Sequence, residues 1–113
     1  MENCLFCKIM KGEIPSQKVY ENDYVYAFRD INPQAPVHVL VIPKKHFSSL
    51  SDIGSADDKD LAECLRAISL IAEKENLAGG YRVVSNCGAD ACQSVQHLHF
   101  HILGGAAMTE KMG

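Results

Sequence analysis

The chain has 113 residues, of which 47% are hydrophobic and 22% charged, and its formal net charge is −3 at pH 7. This size fits a single domain over residues 1–113, and the negative balance does not favour a general nucleic-acid surface, which is normally basic. The sequence has no apolar run of about 18 residues for a membrane span and no secretory-signal pattern, so the cytoplasm is the expected location.

Two of the five cysteines, Cys4 and Cys7, are separated by two residues near the start of the chain. In a reducing compartment, cysteines are more often thiols, metal ligands or reactive groups than disulfides. The spacing allows both thiolates to bind one metal ion, and tetrahedral zinc would need two further ligands, for which His46 and His97 are the candidates. The alternative is a pair of free thiols on a short amino-terminal helix.

The first elements are a short helix and a hairpin. The helix is predicted at residues 5–11 and ends at Gly12, after which the chain becomes extended. Residues 18–21 and 24–29 are rich in valine and aromatic residues and flank the turn-forming pair Asn22-Asp23, which predicts a β-hairpin.

A third strand is predicted at residues 37–43, where β-branched residues dominate and Pro43 ends the run. Its one anomaly is His38, because an imidazole among valines in a central strand needs a hydrogen-bonding partner. That partner is either one of the histidines of the last strand, which His38 would orient, or a backbone carbonyl group.

A long amphipathic helix follows. Ser55 with Asp58 three residues later resembles a capping box, and Gly79 and Gly80 are expected to end the helical segment. The apolar residues recur at helical spacing and predict a core-facing stripe formed by Leu61, Leu65, Ile68 and Ala72, widened by Cys64 and Ile71.

The last two strands are predicted at residues 81–85 and within HLHFHILGG, residues 97–105. Successive side chains of a strand point to opposite faces, so His97, His99 and His101 would share one face. Such a set is consistent with a three-histidine metal site, or with one imidazole acting as nucleophile or base beside orienting and phosphate-binding partners.

The order of elements predicts an α+β domain whose antiparallel sheet is covered on one face by helix, with the histidines facing away from the long helix. The loop of residues 86–94 consists of small residues, which let backbone N–H groups approach a phosphate closely. Asn86 and Ser94 add polar donors beside the histidine strand.

The segment GADACQSVQHLHFHILGG, residues 88–105, resembles the signature of the histidine-triad (HIT) superfamily. Residues 6–46 resemble the amino-terminal half of its Hint branch, the nucleoside phosphoramidases. The resemblance implies a single HIT domain with about five antiparallel strands, one long helix and a short amino-terminal helix. It also implies a homodimer whose two sheets join, and a structural zinc ion held by the two cysteines, His46 and His97.

The resemblance further implies hydrolysis of the P–N bond of purine nucleoside 5'-phosphoramidates through a nucleotidyl-histidine on His99, with no catalytic metal. His101 would bind a phosphate oxygen, Ser94 would assist the leaving amine and His38 would orient the triad. Three alternatives stay open: hydrolysis of dinucleoside polyphosphates, as in the Fhit branch, a metallohydrolase, and a nucleotide-binding regulatory module with little turnover.

For the nucleotide, the resemblance implies a ribose contact at Asp30. It also implies an apolar wall for the base, formed by Phe6, Ile14, Phe28 and Ile31. By composition alone, the wall residues are more typical of a hydrophobic core, and the resemblance reverses this interpretation for Phe28 and Ile31. Cys92 departs from the family, which usually has glycine there, and with Cys87 it makes oxidation sensitivity conceivable. The expected nucleotide-binding residues are Phe6, Phe28, Asp30, Ile31, Asn86, Gln93, Ser94, His99 and His101.

Overall fold

A computed structural model describes residues 3–113 of the chain. The helices are α1 (Leu5–Met10) and α2 (Asp58–Lys74), and two short 3-10 helices lie in loops at Leu50–Asp52 and Ala89–Ala91. The strands are β1 (Lys18–Glu21), β2 (Val25–Arg29), β3 (Val37–Pro43), β4 (Tyr81–Val84) and β5 (Phe100–Gly104). The predicted α+β class with five antiparallel strands, one long helix and one short amino-terminal helix is confirmed.

The five strands form one antiparallel sheet in the order β1-β2-β3-β5-β4. The central pair is β3 and β5, in which Leu40 lies opposite His101 and His38 lies opposite Leu103. The predicted hairpin joins β1 to β2, and the Asn22 side chain accepts hydrogen bonds from the backbone N–H groups of Tyr24 and Val25. This side-chain cap completes the turn without help from distant parts of the chain.

Each face of the sheet carries its own core. Helix α2 covers one face, where its buried residues pack against Val39, Val41 and Ile102. Helix α1 covers the other, where Phe6 and Ile9 pack with side chains from β2 and β3. His101 lies opposite Leu40, which belongs to the second core, so the histidine side of β5 faces away from α2 as predicted.

The start of α2 differs from the prediction. Its N-cap is Asp57, whose carboxylate accepts the backbone N–H of Lys59, and Ser55 lies outside the helix. An aspartate directly before the first helical residue can satisfy the free N–H groups, whereas a serine two residues earlier cannot.

The end and the buried face of α2 also differ. The chain leaves the helix at Asn76, which adopts a left-handed conformation with φ 60°, three residues before the predicted glycine pair. Leu65 is 60% exposed, and the small side chain of Ala67 takes its place against the sheet. The buried residues are Cys64, Ala67, Ile68, Ile71 and Ala72.

The last strand is shorter than predicted. It begins at Phe100, so His97 and His99 precede the sheet instead of lying in it. The backbone N–H of Leu98 donates a hydrogen bond at 2.6 Å to the carbonyl of Phe47, which lies in the loop after β3. The strict alternation of faces therefore does not hold for the first two histidines.

None of the helices in residues 3–113 combines the length and apolar character that crossing a bilayer requires.

Candidate functional site

The structure separates the three histidines of the carboxyl-terminal motif into two groups. His97 points its Nδ1 toward Cys4, Cys7 and His46. His99 and His101 form the other group, with ring centroids 5.1 Å apart. The bend at residues 95–97 turns the first imidazole away from the other two, and no group of potential metal ligands in residues 3–113 contains all three.

His38 joins the second group. Its Nδ1 accepts the backbone N–H of Gln34 at 3.0 Å, so the proton of the neutral ring is on Nε2. Nε2 lies 2.8 Å from His101 Nδ1, and His38 therefore donates to His101. Of the two partners considered for His38, the structure shows the histidine of the last strand.

The proton position on His38 determines the proton position on His101. Because His101 Nδ1 accepts from His38, the proton of the neutral His101 ring is on Nε2. That nitrogen is buried and has no hydrogen-bond partner within the described residues. A buried N–H without a partner is costly, which marks this position as a place where a ligand oxygen would be favoured.

Burial keeps these rings neutral. Desolvation, together with the neighbouring His99 and His38, lowers the pKa of His101 to about 4. Desolvation likewise lowers the pKa of His38, although the Asp30 carboxylate opposes this effect. Neutral rings at pH 7 make the donor and acceptor assignment above unambiguous.

The hydrogen bonding of His99 defines which of its ring nitrogens carries the proton. Its Nδ1 lies 2.7 Å from the backbone carbonyl of His97, and since a carbonyl can only accept, Nδ1 carries the proton. The Nε2 lone pair is thereby left free. Phe6 packs edge-on against the ring with centroids 5.1 Å apart, and the Ser85 hydroxyl donates to the His99 carbonyl at 2.8 Å.

Asp30 lies beside the same nitrogen of the His38 ring that faces His101. Its Oδ1 accepts the backbone N–H of Asn32 at 2.8 Å, and its Oδ2 is 3.5 Å from His38 Nε2. Asp30, His38 and His101 are close enough together to be considered as metal ligands. However, the His38 proton lies between two of the three donor atoms, which favours a hydrogen-bonded chain over a coordination sphere.

The four predicted zinc ligands meet at one place, with their donor atoms within 4.8 Å of one another. His97 Nδ1 lies 3.3 Å from Cys4 Sγ, 3.6 Å from Cys7 Sγ and 3.1 Å from His46 Nδ1. Zn–S bonds of about 2.3 Å and Zn–N bonds of about 2.0 Å place tetrahedral ligand atoms roughly 3.3–3.8 Å apart. The observed separations are close to these values.

The chemistry of this group also suits a metal. His97 donates from Nε2 to the Pro43 carbonyl at 2.9 Å, so its Nδ1 presents a lone pair. Burial lowers the pKa of His97 to about 4, which keeps that lone pair available, and desolvation also lowers the pKa of His46. Three further potential ligand atoms converge on this one lone pair, more than a single hydrogen bond can satisfy, whereas a cation would bind all four residues.

The predicted base wall divides into two parts. Phe6 and Phe28 are each only 4% exposed and belong to the core beneath α1, as composition alone suggested, and Ile14 packs at its margin. Ile31 is 98% exposed and lies with Asp30 beside a cavity of about 450 Å³. An isolated isoleucine this exposed is available to cover a ligand.

The loop before the histidines places its polar residues differently. The Gln93 amide is used inside the fold: it accepts from the Gly88 N–H and donates to the Ser48 and Val95 carbonyls. Ser94 is exposed and borders a groove of about 520 Å³ that also contacts Cys4 and His46.

Two further residues of the loop stand out. Asn86 is half-buried at the end of β4. Cys92 is exposed and adopts a left-handed conformation with φ 60° and ψ 38°, a region in which glycine is usual.

Besides the His97 carbonyl, sequence reasoning missed four groups that orient the imidazoles: the Gln34 N–H, the Pro43 and Phe47 carbonyls, and the Ser85 hydroxyl. Three of these are backbone groups, whose positions carry no side-chain signal. Ser85 was detectable only as a polar residue at the end of a strand.

Comparison with known proteins places the site in a family. The HIT domain model matches residues 11–108. A 14 kDa zinc-binding protein of Zea mays is 49% identical over 107 residues, which cover 92% of this chain and 83% of that protein. The purine nucleoside phosphoramidase of Escherichia coli (strain K12) is 42% identical over 105 residues, which cover 92% of this chain and 88% of that protein.

Solved structures agree. A HIT family hydrolase from Clostridium thermocellum matches with a TM-score of 0.95 and 47% identity, over 99% of this chain and 98% of that chain. The fold expected from the resemblance is therefore confirmed, together with the motif that indicated it. With a family model over most of its length and relatives at this level of identity, the chain belongs to the HIT domain family.

Proposed function

We propose that this protein is a hydrolase that cleaves the P–N bond of purine nucleoside 5'-phosphoramidates by way of a nucleotidyl-histidine on His99. One observation carries the proposal. The His99 ring donates from Nδ1 to the His97 carbonyl, which leaves its Nε2 lone pair available, and its centroid lies 5.1 Å from that of the His101 ring, whose Nε2–H has no partner among residues 3–113. A nucleophile next to an N–H donor suits attack on a phosphorus atom that carries anionic oxygens.

In the first step, His99 Nε2 attacks the α-phosphorus, an N–P bond forms and the P–N bond to the leaving amine breaks. His101 donates its Nε2–H in a hydrogen bond to a non-bridging oxygen, where negative charge develops. The Ser94 hydroxyl passes a proton to the nitrogen of the departing amine, and the water consumed in the second step returns that proton. His38 keeps His101 in the donating tautomer. In the second step, water displaces His99 and releases the nucleoside monophosphate.

For the rest of the nucleotide, we assign the ribose hydroxyls to Asp30 and the base to the wall formed by Phe6, Phe28 and Ile31. We assign Asn86, Gln93 and the backbone of their loop to the phosphate. The exposure of Ile31 supports this arrangement because an apolar side chain in water gains by covering a purine ring.

We further propose that the metal group holds a structural zinc ion, with Cys4, Cys7, His46 and His97 as the ligands. A zinc ion bound by four protein ligands supplies folding energy and takes no part in reactions of the substrate. Its role here would be to fasten α1 to the loops that follow β3 and precede β5.

The direct test compares the wild type with His99→Ala on a fluorogenic adenosine phosphoramidate. We expect amine release to fall by on the order of 10³-fold or more in the variant, because the nucleophile is removed. Circular dichroism and adenosine monophosphate binding serve as controls that the variant is folded and retains its site. Equal rates of amine release in the two proteins would contradict the proposal.

The same assay separates the alternatives. A faster rate on diadenosine triphosphate than on the phosphoramidate would favour a dinucleoside polyphosphate hydrolase. Tight nucleotide binding with no turnover on either substrate would favour a regulatory module. For a metallohydrolase, chelation would abolish turnover while leaving the circular dichroism spectrum unchanged.

A further inference from the structure

His97 takes part in both groups of the site. Its side chain directs Nδ1 at the three other potential metal ligands, while its backbone carbonyl accepts the Nδ1–H of His99 at 2.7 Å. The ring is fully buried and further fixed by its bond to the Pro43 carbonyl. Any change that moves the His97 backbone therefore changes the group that orients the proposed nucleophile.

A second connection runs through α1. Cys4 and Cys7 lie on either side of Phe6, and the Phe6 ring contacts His99 at 5.1 Å and His97 at 6.0 Å between centroids. Helix α1 has only six residues, so it has little stability of its own and depends on what holds it. The positions of the two thiols and of the Phe6 ring therefore depend on each other through α1.

A third connection joins the loops themselves. His46 is followed by Phe47, whose carbonyl accepts the N–H of Leu98 at 2.6 Å. The next residue, Ser48, accepts from the Gln93 amide at 2.7 Å. The segment that supplies one metal ligand is therefore bonded to the loop that precedes the histidines.

We propose that metal binding at Cys4, Cys7, His46 and His97 positions His99 and Phe6 for the nucleotide, so that metal and nucleotide each strengthen the binding of the other. This inference rests on the proposed function. A bound metal fixes the His97 backbone and α1 in the arrangement that the nucleotide also requires. Without the metal, part of the binding free energy of the nucleotide is used to order these segments, and the affinity for the nucleotide is correspondingly lower.

The coupling is measured by calorimetric titration of the full chain with adenosine monophosphate, once with zinc bound and once after chelation. We expect the dissociation constant to rise by about fivefold or more when the metal is removed. Linkage requires the reciprocal effect, so saturating adenosine monophosphate must raise the zinc affinity by the same factor. Circular dichroism establishes that the metal-free chain is folded, and a merely structural metal would leave nucleotide affinity unchanged in the folded chain.

Matched cysteine variants sharpen the test. Cys4→Ser removes one metal ligand at the amino-terminal cap of α1, and at saturating zinc we expect nucleotide binding to be about fivefold or more weaker than in the wild type. Cys87→Ser removes a thiol that lies outside the metal group and is hydrogen-bonded to the Ser51 hydroxyl. In this variant, nucleotide affinity should depend on zinc as it does in the wild type. If chelation unfolds the wild type, the folded Cys4→Ser protein at saturating zinc provides the comparison.

The outcomes separate the two proposals. Adenosine monophosphate that binds both metal states of the folded chain equally overturns the coupling and leaves the proposed function standing. Wild-type affinity in folded Cys4→Ser also overturns the coupling. Adenosine monophosphate that binds no form of the protein overturns the proposed function and the coupling with it.

Discussion

Single hydrogen bonds decide what each imidazole of this site can do. The His97 carbonyl places the His99 proton on Nδ1, and the Gln34 N–H places the His38 proton on Nε2. Each assignment leaves one nitrogen of the ring with a defined task. Because the Gln34 partner is a backbone group, a substitution of the Gln34 side chain that leaves the backbone in place would not change the His38 assignment.

The pKa of His101 predicts acid sensitivity. In the folded chain it is lowered to about 4, whereas the unfolded value is about 6.5, so between these values the unfolded state binds more protons. The free energy of unfolding should therefore fall as pH falls from 6.5 to 4. We expect His101→Gln to reduce this loss by about 1–3 kcal/mol, measured by urea denaturation at pH 7 and 4.5.

Acid would also release zinc from the proposed metal site in both proteins, so the difference between their pH dependences is the relevant quantity. Identical dependences in wild type and variant would show that His101 is not a buried neutral group.

Cys92 gives a second prediction at this scale. Its left-handed backbone conformation costs roughly 1–2 kcal/mol in a residue with a Cβ atom, whereas glycine adopts it freely at an entropic cost of about 0.5–1 kcal/mol. Cys92→Gly should therefore raise the free energy of unfolding by about 0.5–1 kcal/mol. Cys92→Ala retains the Cβ atom and should show no such gain in the same denaturation experiment.

Among the secondary-structure elements, α2 and α1 depend on different sources of stability. Helix α2 has 17 residues, a capped amino terminus and a buried apolar face over β1, β2 and β3. Helix α1 has six residues and is fastened by Phe6, Ile9 and the two cysteines of the metal group. The difference explains why a metal at this place would matter for α1 and not for α2.

The cap of α2 is directly testable. Asp57→Ala removes the carboxylate that accepts the Lys59 N–H and should lower the free energy of unfolding by about 1 kcal/mol. Ser55→Ala is the matched control, because the sequence pattern nominated Ser55 and the structure leaves it outside the helix. A larger effect at Ser55 than at Asp57 in chemical denaturation would show that the cap is assigned to the wrong residue.

At the scale of the whole molecule, α2 leaves the β4 end of its face of the sheet uncovered. Strand β4 is at the edge, and Tyr81 and Val83 are exposed on the face that carries α2. Helix α2 lies over the opposite half of the sheet and exposes Leu65 and Leu70. An unpaired edge strand beside apolar side chains suits pairing with a second copy of the chain, as we propose for the homodimer.

If the proposed homodimer forms, the molecular mass in solution should be that of two chains. Sedimentation velocity should give twice the chain mass for the wild type, and Val83→Asp should give the monomer because a charge would be buried at the joined edge. Leu50→Asp changes an exposed leucine in a loop far from β4 in sequence and should remain a dimer. A monomeric wild type would rule out the homodimer.

Much of the fold was readable in the sequence because its signals are local. The hairpin around Asn22, the β-branched run of β3 and the helical spacing of α2 each depend on neighbours a few residues apart. The capping residue and the end of α2 were predicted wrongly, since several polar residues and glycines near a helix end are locally equivalent. Packing against the sheet decided between them.

The sequence by itself determined the α+β fold, the histidine motif and the four residues able to meet at a metal site. Only the tertiary structure separated His97 from His99 and His101, because a bond from Leu98 to Phe47, 51 residues away, bends the chain before the strand begins. The proton positions likewise depend on backbone groups that only the folded chain brings to the rings. Contacts between distant segments carry no local pattern, and it is these contacts that orient the imidazoles.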